Sequence, residues 1–109
     1  MIEALLGSRS REQVLAFVVS RGEGYAREIA QTYEVGITPI KNQLEALELA
    51  GVLASQNVGR TVLYRINPRY AFKEELEALV KKAVGFYPEA LQEKLLYARK
   101  RPRRQGKPL

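Results

Sequence analysis

The residue types available to this chain restrict the chemistry it can perform. Its 109 residues include no Cys, His or Asp, so every acidic side chain is a glutamate. Thiolate or imidazole metal sites, Cys nucleophiles and Ser-His-Asp triads therefore have no residues to build them. The glutamates form neither an acidic metal loop nor a convincing acid/base pair. We expect no catalytic residue, no cofactor and no metal site, and hence that the protein is not an enzyme.

The polar residues that remain candidates for specific contacts lie on one face of a predicted helix. Ile40, Leu44 and Leu47 repeat at helical spacing and predict a helix over residues 37–51, in which Pro39 is tolerated because it falls in the first turn. The opposite face carries Thr38, Lys41, Asn42, Gln43 and Glu45. One interpretation is a solvated face. The other is contact with base edges, because a helix about 10 to 12 Å across fits a DNA major groove, where Asn and Gln pair with adenine and Lys with guanine or phosphate.

The positive charge is concentrated at the C-terminal end. The formal net charge is +6, but residues 1–84 carry eleven basic residues against ten glutamates, whereas residues 85–109 carry seven against two. Residues 101–109, with two prolines and four cations, are predicted to be disordered when free. This tail either adds sequence-independent, salt-sensitive affinity for a polyanion or only keeps the chain soluble.

Two helices are expected before the polar one. Ser10, followed three residues later by Gln13, is a capping-box pattern that predicts the start of a first helix, which ends near residues 21–22. A short second helix begins at Tyr25, and Gly36 is expected to break it. Its apolar residues have helical spacing: Ala26, Ile29, Ala30 and Tyr33.

A hairpin and two more helices are expected after the polar helix. Residues 52–56 and 61–66 are β-prone runs separated by Asn57-Val58-Gly59-Arg60, which has hairpin chemistry. An amphipathic helix follows and ends at Gly85, and Pro88 suits the first position of a last helix. The predicted class is therefore mainly α with a small β-hairpin.

Residues 8–70 resemble the winged helix-turn-helix of ArsR- and MarR-like transcription regulators. The resemblance rests on the joint spacing of several short motifs. They are Arg11-Glu12-Gln13-Val14-Leu15, Tyr25-Ala26-Arg27-Glu28-Ile29-Ala30, Ile40-Lys41-Asn42-Gln43-Leu44-Glu45-Ala46-Leu47, Gly51-Val52-Leu53, Gly59-Arg60 and Tyr64-Arg65-Ile66-Asn67-Pro68. It implies a winged helix-turn-helix fold with additional C-terminal helices and binding to double-stranded DNA, with the third helix in the major groove.

Three arginines gain a candidate role from this resemblance. Arg60 would lie in the wing and reach the minor groove or the backbone, and Arg65 is a weaker candidate for a phosphate contact. Arg27, at the start of the second helix, either contacts a phosphate or pairs with Glu23 or Glu34. The same two alternatives apply to Arg9 and Arg11. Tyr64 is expected to pack in the core.

The expected organisation is a DNA-binding domain over residues 1–84, a C-terminal helix over 85–100 that serves dimerisation, and the basic tail. No signal peptide or membrane span is evident, so we expect a cytoplasmic protein without membrane contact. A homodimer would place two third helices about one DNA turn apart. The alternative function is a protein–protein interaction module whose basic tail binds nucleic acid non-specifically.

Overall fold

The computed structural model describes residues 1–96, and the predicted basic tail lies outside this part of the chain. The elements follow in this order: α1 (Glu3–Leu6), α2 (Arg9–Arg21), β1 (Gly24–Tyr25), α3 (Ala26–Tyr33), α4 (Ile37–Leu49), β2 (Leu53–Val58), β3 (Thr61–Ile66), α5 (Lys73–Val84) and α6 (Glu89–Leu96). No helix within residues 1–96 is long and apolar enough to cross a membrane.

The first long helix begins two residues earlier than its sequence pattern indicated. Ser8, not Ser10, is the N-cap of α2, and its Oγ accepts a hydrogen bond from the Arg11 N–H at 3.1 Å. The reason is the unpredicted short helix α1, which ends at Gly7 with φ +109° and leaves Ser8 extended. The C-terminal end of α2 at Arg21, followed by Gly22, is as predicted.

The core is organised around α2. Five consecutive residues of this helix are buried, Val14 to Val18, as expected for a helix that is enclosed on several sides. It packs against α3, α4, α5, α6 and strands β1 and β3. Leu95 of α6 is completely buried in this same core, and Tyr87 and Leu91 pack against it. Part of the apolar surface that the sequence assigned to dimerisation is therefore used within the chain, while Phe86 and Leu96 stay exposed.

The helix pair α3–α4 is separated by a short turn whose break point differs from the prediction. Helix α3 ends at Tyr33 and is capped by Glu34, which adopts φ +57°, so the helix breaks before Gly36. Its Glu34 and Val35 amides donate to the carbonyls of Gln31 and Ala30 at 3.2 and 3.0 Å, which closes the turn. Gly36 occupies the N-cap of α4, the position expected for it before the third helix. Helix α4 covers nearly the predicted range and buries Ile40, Leu44 and Leu47 as predicted.

The three strands form an antiparallel sheet in the order β1-β3-β2. In the β2–β3 hairpin Leu53 pairs with Ile66 and Val58 with Thr61, which leaves the two-residue loop Gly59-Arg60. Gly59 has φ +61°, as the first residue of a tight type II′ loop requires. Strand β2 thus extends two residues further than predicted.

A buried carboxylate joins the N-terminal segment to the loop between α5 and α6. Glu12 is 5% exposed, and its carboxylate accepts hydrogen bonds from the Ile2 amide at 2.8 Å and from the Tyr87 hydroxyl. Burial, reinforced by this bond to Glu12, raises the pKa of Tyr87. Pro88 precedes α6 rather than forming its first residue, and its carbonyl accepts the Leu91 and Gln92 amides.

Candidate nucleic-acid interface

The polar face of α4 is exposed to solvent except at one position. Thr38, Lys41, Asn42 and Glu45 are all exposed, opposite the buried apolar face. Gln43 is half-buried, and its Oε1 accepts a 2.8 Å hydrogen bond from Arg11 Nε. The amide oxygen of Gln43 is therefore occupied within the fold, which leaves its amide nitrogen available to a partner.

A solvent-open groove of about 770 Å³ lies between α3, α4 and the hairpin. Leu44 and Tyr64 line it and are buried, so the groove has a packed floor. Three cations surround it, and each comes from a different element: Arg27 from α3, Lys41 from α4 and Arg60 from the hairpin loop. Three of the residues singled out from the sequence are therefore brought together around one concave surface.

Two acids share this groove with the cations. Glu28 and Glu45 line it, but Glu28 already forms an ion pair of 3.1 Å with Arg21. Glu45 has no ion-pair partner within residues 1–96. The groove is therefore not uniformly positive, and Glu45 would accept a hydrogen bond from a base amino group or repel a nearby phosphate.

Arg27 is exposed at the beginning of α3. Neither of the two glutamates considered as its local partner pairs with it: Glu34 pairs with Lys94 at 3.0 Å, and Glu23 forms no ion pair in the described part of the chain. Near the N-terminus of a helix, an arginine and free backbone amides suit a phosphate. The geometry thus leaves Arg27 available for an external anion.

Arg60 and Arg65 lie on different parts of the hairpin. Arg60 is exposed in the loop and lines the groove, whereas Arg65 does not line it. Because strand side chains alternate, Arg65 faces away from its neighbour Tyr64, and its Nη1 donates to Gln56 Oε1 at 3.4 Å. The structure therefore groups Arg60, but not Arg65, with Arg27 and Lys41.

Other residues named from the sequence contribute to the fold. Arg11, besides contacting Gln43, donates to the Leu6 carbonyl at 3.4 Å. Tyr64 is buried as predicted. Burial is the main cause that raises the pKa of its hydroxyl, and the negative charges of Glu48 and Glu45 raise it further. Arg9 lines a separate cavity beside Glu12 and Tyr87, which shares no residue with the groove.

Gln31 and Val62 are among the groove residues that were missed from the sequence. Gln31 lies on α3 one turn after Arg27, so the i, i+4 spacing of the two polar residues was a usable signal. Val62 is 37% exposed and forms part of the apolar wall. Its exposure depends on how β3 lies against α4, which strand alternation alone does not reveal.

Comparison with known proteins identifies the fold through solved structures. No protein-family model matches the sequence, and no curated protein matches it significantly. The chain is similar to the homodimeric winged helix-turn-helix DNA-binding domain of Mb0332 from Mycobacterium bovis, a possible ArsR-family transcriptional regulator. The TM-score is 0.57 at 25% identity over 82% of this chain and 80% of that one.

A second solved structure, the YusO protein from Bacillus subtilis, has the same overall arrangement. Its TM-score is 0.59 at 20% identity, over 98% of this chain and 82% of that one. The six helices and the three-stranded sheet of residues 1–96, together with these similarities, confirm the fold class predicted from the sequence. The chain has a winged helix-turn-helix fold, in which α3 and α4 are the helix-turn-helix and the β2–β3 hairpin is the wing.

Proposed function

We propose that this protein is a sequence-specific regulator of transcription that binds double-stranded DNA as a homodimer in the cytoplasm, without enzymatic activity. The observation that carries the proposal is the grouping of Arg27, Lys41 and Arg60 around one groove. Phosphate contacts supply most of the sequence-independent affinity of a DNA-binding protein and fix its orientation on the duplex.

Helix α4 would enter the major groove. Its exposed residues Thr38, Lys41, Asn42 and Glu45 offer donors and acceptors of the kinds that distinguish base pairs there, and the Gln43 amide nitrogen adds a donor. Arg60 would reach the minor groove or the backbone beside it. Arg27, at the beginning of α3, would hold a phosphate and thereby set the depth of α4.

The proposed homodimer draws support from Mb0332, whose DNA-binding domain is homodimeric. In this chain Phe86 is 67% and Leu96 40% exposed, which leaves apolar surface beside α6 for a second copy. Two-fold symmetry would match an inverted repeat in the DNA.

The experiment is a set of binding titrations on a labelled duplex of mixed sequence and on its single strand, at several salt concentrations. A triple variant, Arg27→Ala with Lys41→Ala and Arg60→Ala, removes the groove cations. Its matched control, Arg69→Ala with Lys81→Ala and Lys82→Ala, removes three exposed cations that do not line the groove. Both variants have the same net charge.

We expect the native protein to prefer the duplex and the groove variant to lose affinity. Each lost phosphate contact lowers the slope of log K against log salt by about 0.9, so the slope should fall by roughly 2 to 3. The control should keep a slope close to the native value. Equal losses in both variants would show that only total charge matters, and preference for the single strand would contradict duplex binding.

A further inference from the structure

The side chain of Arg21, at the end of α2, contacts two other helices and an aromatic ring of its own helix. Its Nη2 donates to the Lys94 carbonyl at 2.8 Å and its Nε to the Leu95 carbonyl at 3.3 Å, so it binds the last turn of α6. Its Nη1 pairs with Glu28 Oε2 at 3.1 Å in the first turn of α3. The guanidinium also lies over the Phe17 ring, 4.3 Å from its centroid. One side chain therefore joins α6 to the beginning of α3.

Lys94 makes a second connection between the same two helices. Its Nζ pairs with Glu34 Oε2 at 3.0 Å, and Glu34 is the left-handed residue that ends α3 and leads into α4. The last turn of α6 is thus linked to both ends of α3, through Arg21 and Glu28 at one end and through Glu34 at the other.

The two connections differ in strength. The Lys94–Glu34 pair is exposed on both sides, so solvent screens it and it contributes little. Arg21 is only 11% exposed and satisfies a carboxylate and two carbonyls with a planar group that fits several acceptors at once. Leu95, whose carbonyl it binds, is fully buried in the core. The Arg21 connection therefore contributes more than the Lys94–Glu34 pair to holding α6 against α3.

Glu28 is next to Arg27, the groove cation of α3, and Glu34 lies at the turn that leads into α4. We propose that Arg21 is a positioning residue that couples the docking of α6 to the orientation of the α3–α4 pair. Displacing α6, for example by a partner that binds it, would then move Arg27 and α4 without touching either. The effect on DNA rests on the proposed function, whereas the mechanical coupling does not.

The test is hydrogen–deuterium exchange of the full chain, combined with the duplex titration. Arg21→Met keeps an aliphatic side chain over Phe17 but removes every hydrogen bond of the guanidinium. The control Lys73→Met breaks the Lys73–Glu77 pair, which lies within α5 and involves no residue of α3 or α6. We expect faster exchange in α6 and at the Glu34 and Val35 amides for Arg21→Met, with native exchange in the hairpin and a loss of duplex affinity of at least about fivefold. Lys73→Met should behave as the native protein.

Exchange that increases in α6 while the α3–α4 turn keeps native protection would overturn the coupling. A second variant, Glu28→Gln, distinguishes loss of the coupling from general destabilisation of the fold. It keeps an acceptor for the Tyr25 amide and leaves the Arg21 hydrogen bonds to α6 in place. We expect it to leave α6 protected and to increase exchange at the beginning of α3, and native exchange there would also overturn the proposal. If the native protein binds no duplex, the proposed function fails while the exchange data still decide the coupling.

Discussion

Asn42 and Gln43 are adjacent on α4, but their side chains have different surroundings. Asn42 is exposed to solvent, whereas Gln43 is half-buried and accepts a hydrogen bond from Arg11. A hydrogen bond of this kind contributes about 1 kcal/mol to the free energy of unfolding. Gln43 therefore contributes to the fold, whereas Asn42 is the amide that we propose for recognition.

We predict that Gln43→Ala lowers the free energy of unfolding by about 1 kcal/mol, whereas Asn42→Ala changes it by less than about 0.5 kcal/mol. Asn42→Ala should instead reduce the preference for one DNA sequence over another. Urea unfolding and competitive duplex binding measure the two effects. Equal stability losses in both variants would contradict the assignment of Gln43 to the fold.

Gly24 packs closely against the core, because a Cβ at this position would lie 2.7 Å from Cε1 of the fully buried Phe17. We predict that Gly24→Ala destabilises the protein by about 1 to 3 kcal/mol through overpacking. Gly36→Ala is the matched control, since its Cβ would meet only Pro39 Cδ at 3.9 Å, and it should change stability little. Thermal unfolding of both variants checks this, and a harmless Gly24→Ala would show that Phe17 can move aside.

At the scale of elements, the hairpin offers its own internal control. Arg60 lines the groove, while Arg65 faces away from it and contacts Gln56. We predict that Arg60→Ala lowers the salt slope of duplex binding by about 1, whereas Arg65→Ala leaves it nearly native. Titrations at several salt concentrations measure both slopes. A larger change for Arg65→Ala would mean that the opposite face of the wing contacts the DNA.

The elements with strong local signals were predictable from the sequence. The apolar spacing in α4 and the branched and aromatic residues of β3 gave nearly the observed limits. Helix boundaries set by tertiary context were not predictable. Ser8 became the N-cap only because α1 ends at Gly7, and Glu34 adopts a left-handed conformation that non-glycine residues rarely take.

The candidate site was likewise predictable from the sequence only where the signal is local. The sequence indicated Lys41, Arg60 and Arg27 by position in a motif, but only the packing of α3, α4 and the hairpin shows that they surround one groove. The involvement of Gln43 with Arg11 joins residues 32 positions apart, and no local pattern carries that information. Arg65 was separated from the group by strand alternation once the register was known.

For the whole molecule, the fold places α4, the wing and α6 around α2. Helix α6 is tied to the core by Leu95 and to α3 by Arg21, yet Phe86 and Leu96 remain exposed. A second copy that covers this surface would lie next to the connection that orients α3. Dimerisation and DNA binding are therefore expected to influence each other in this molecule.

The most direct test of the central claim is selection from a random pool of duplex DNA with the purified full chain. We predict enrichment of an inverted repeat whose half-sites lie about one helical turn apart, as two α4 helices related by a two-fold axis require. Changing Lys41 and Asn42 together to alanine should abolish that enrichment. If selection with the native protein enriches no sequence, and its weak binding to DNA disappears at moderate salt, sequence-specific recognition by this fold is contradicted.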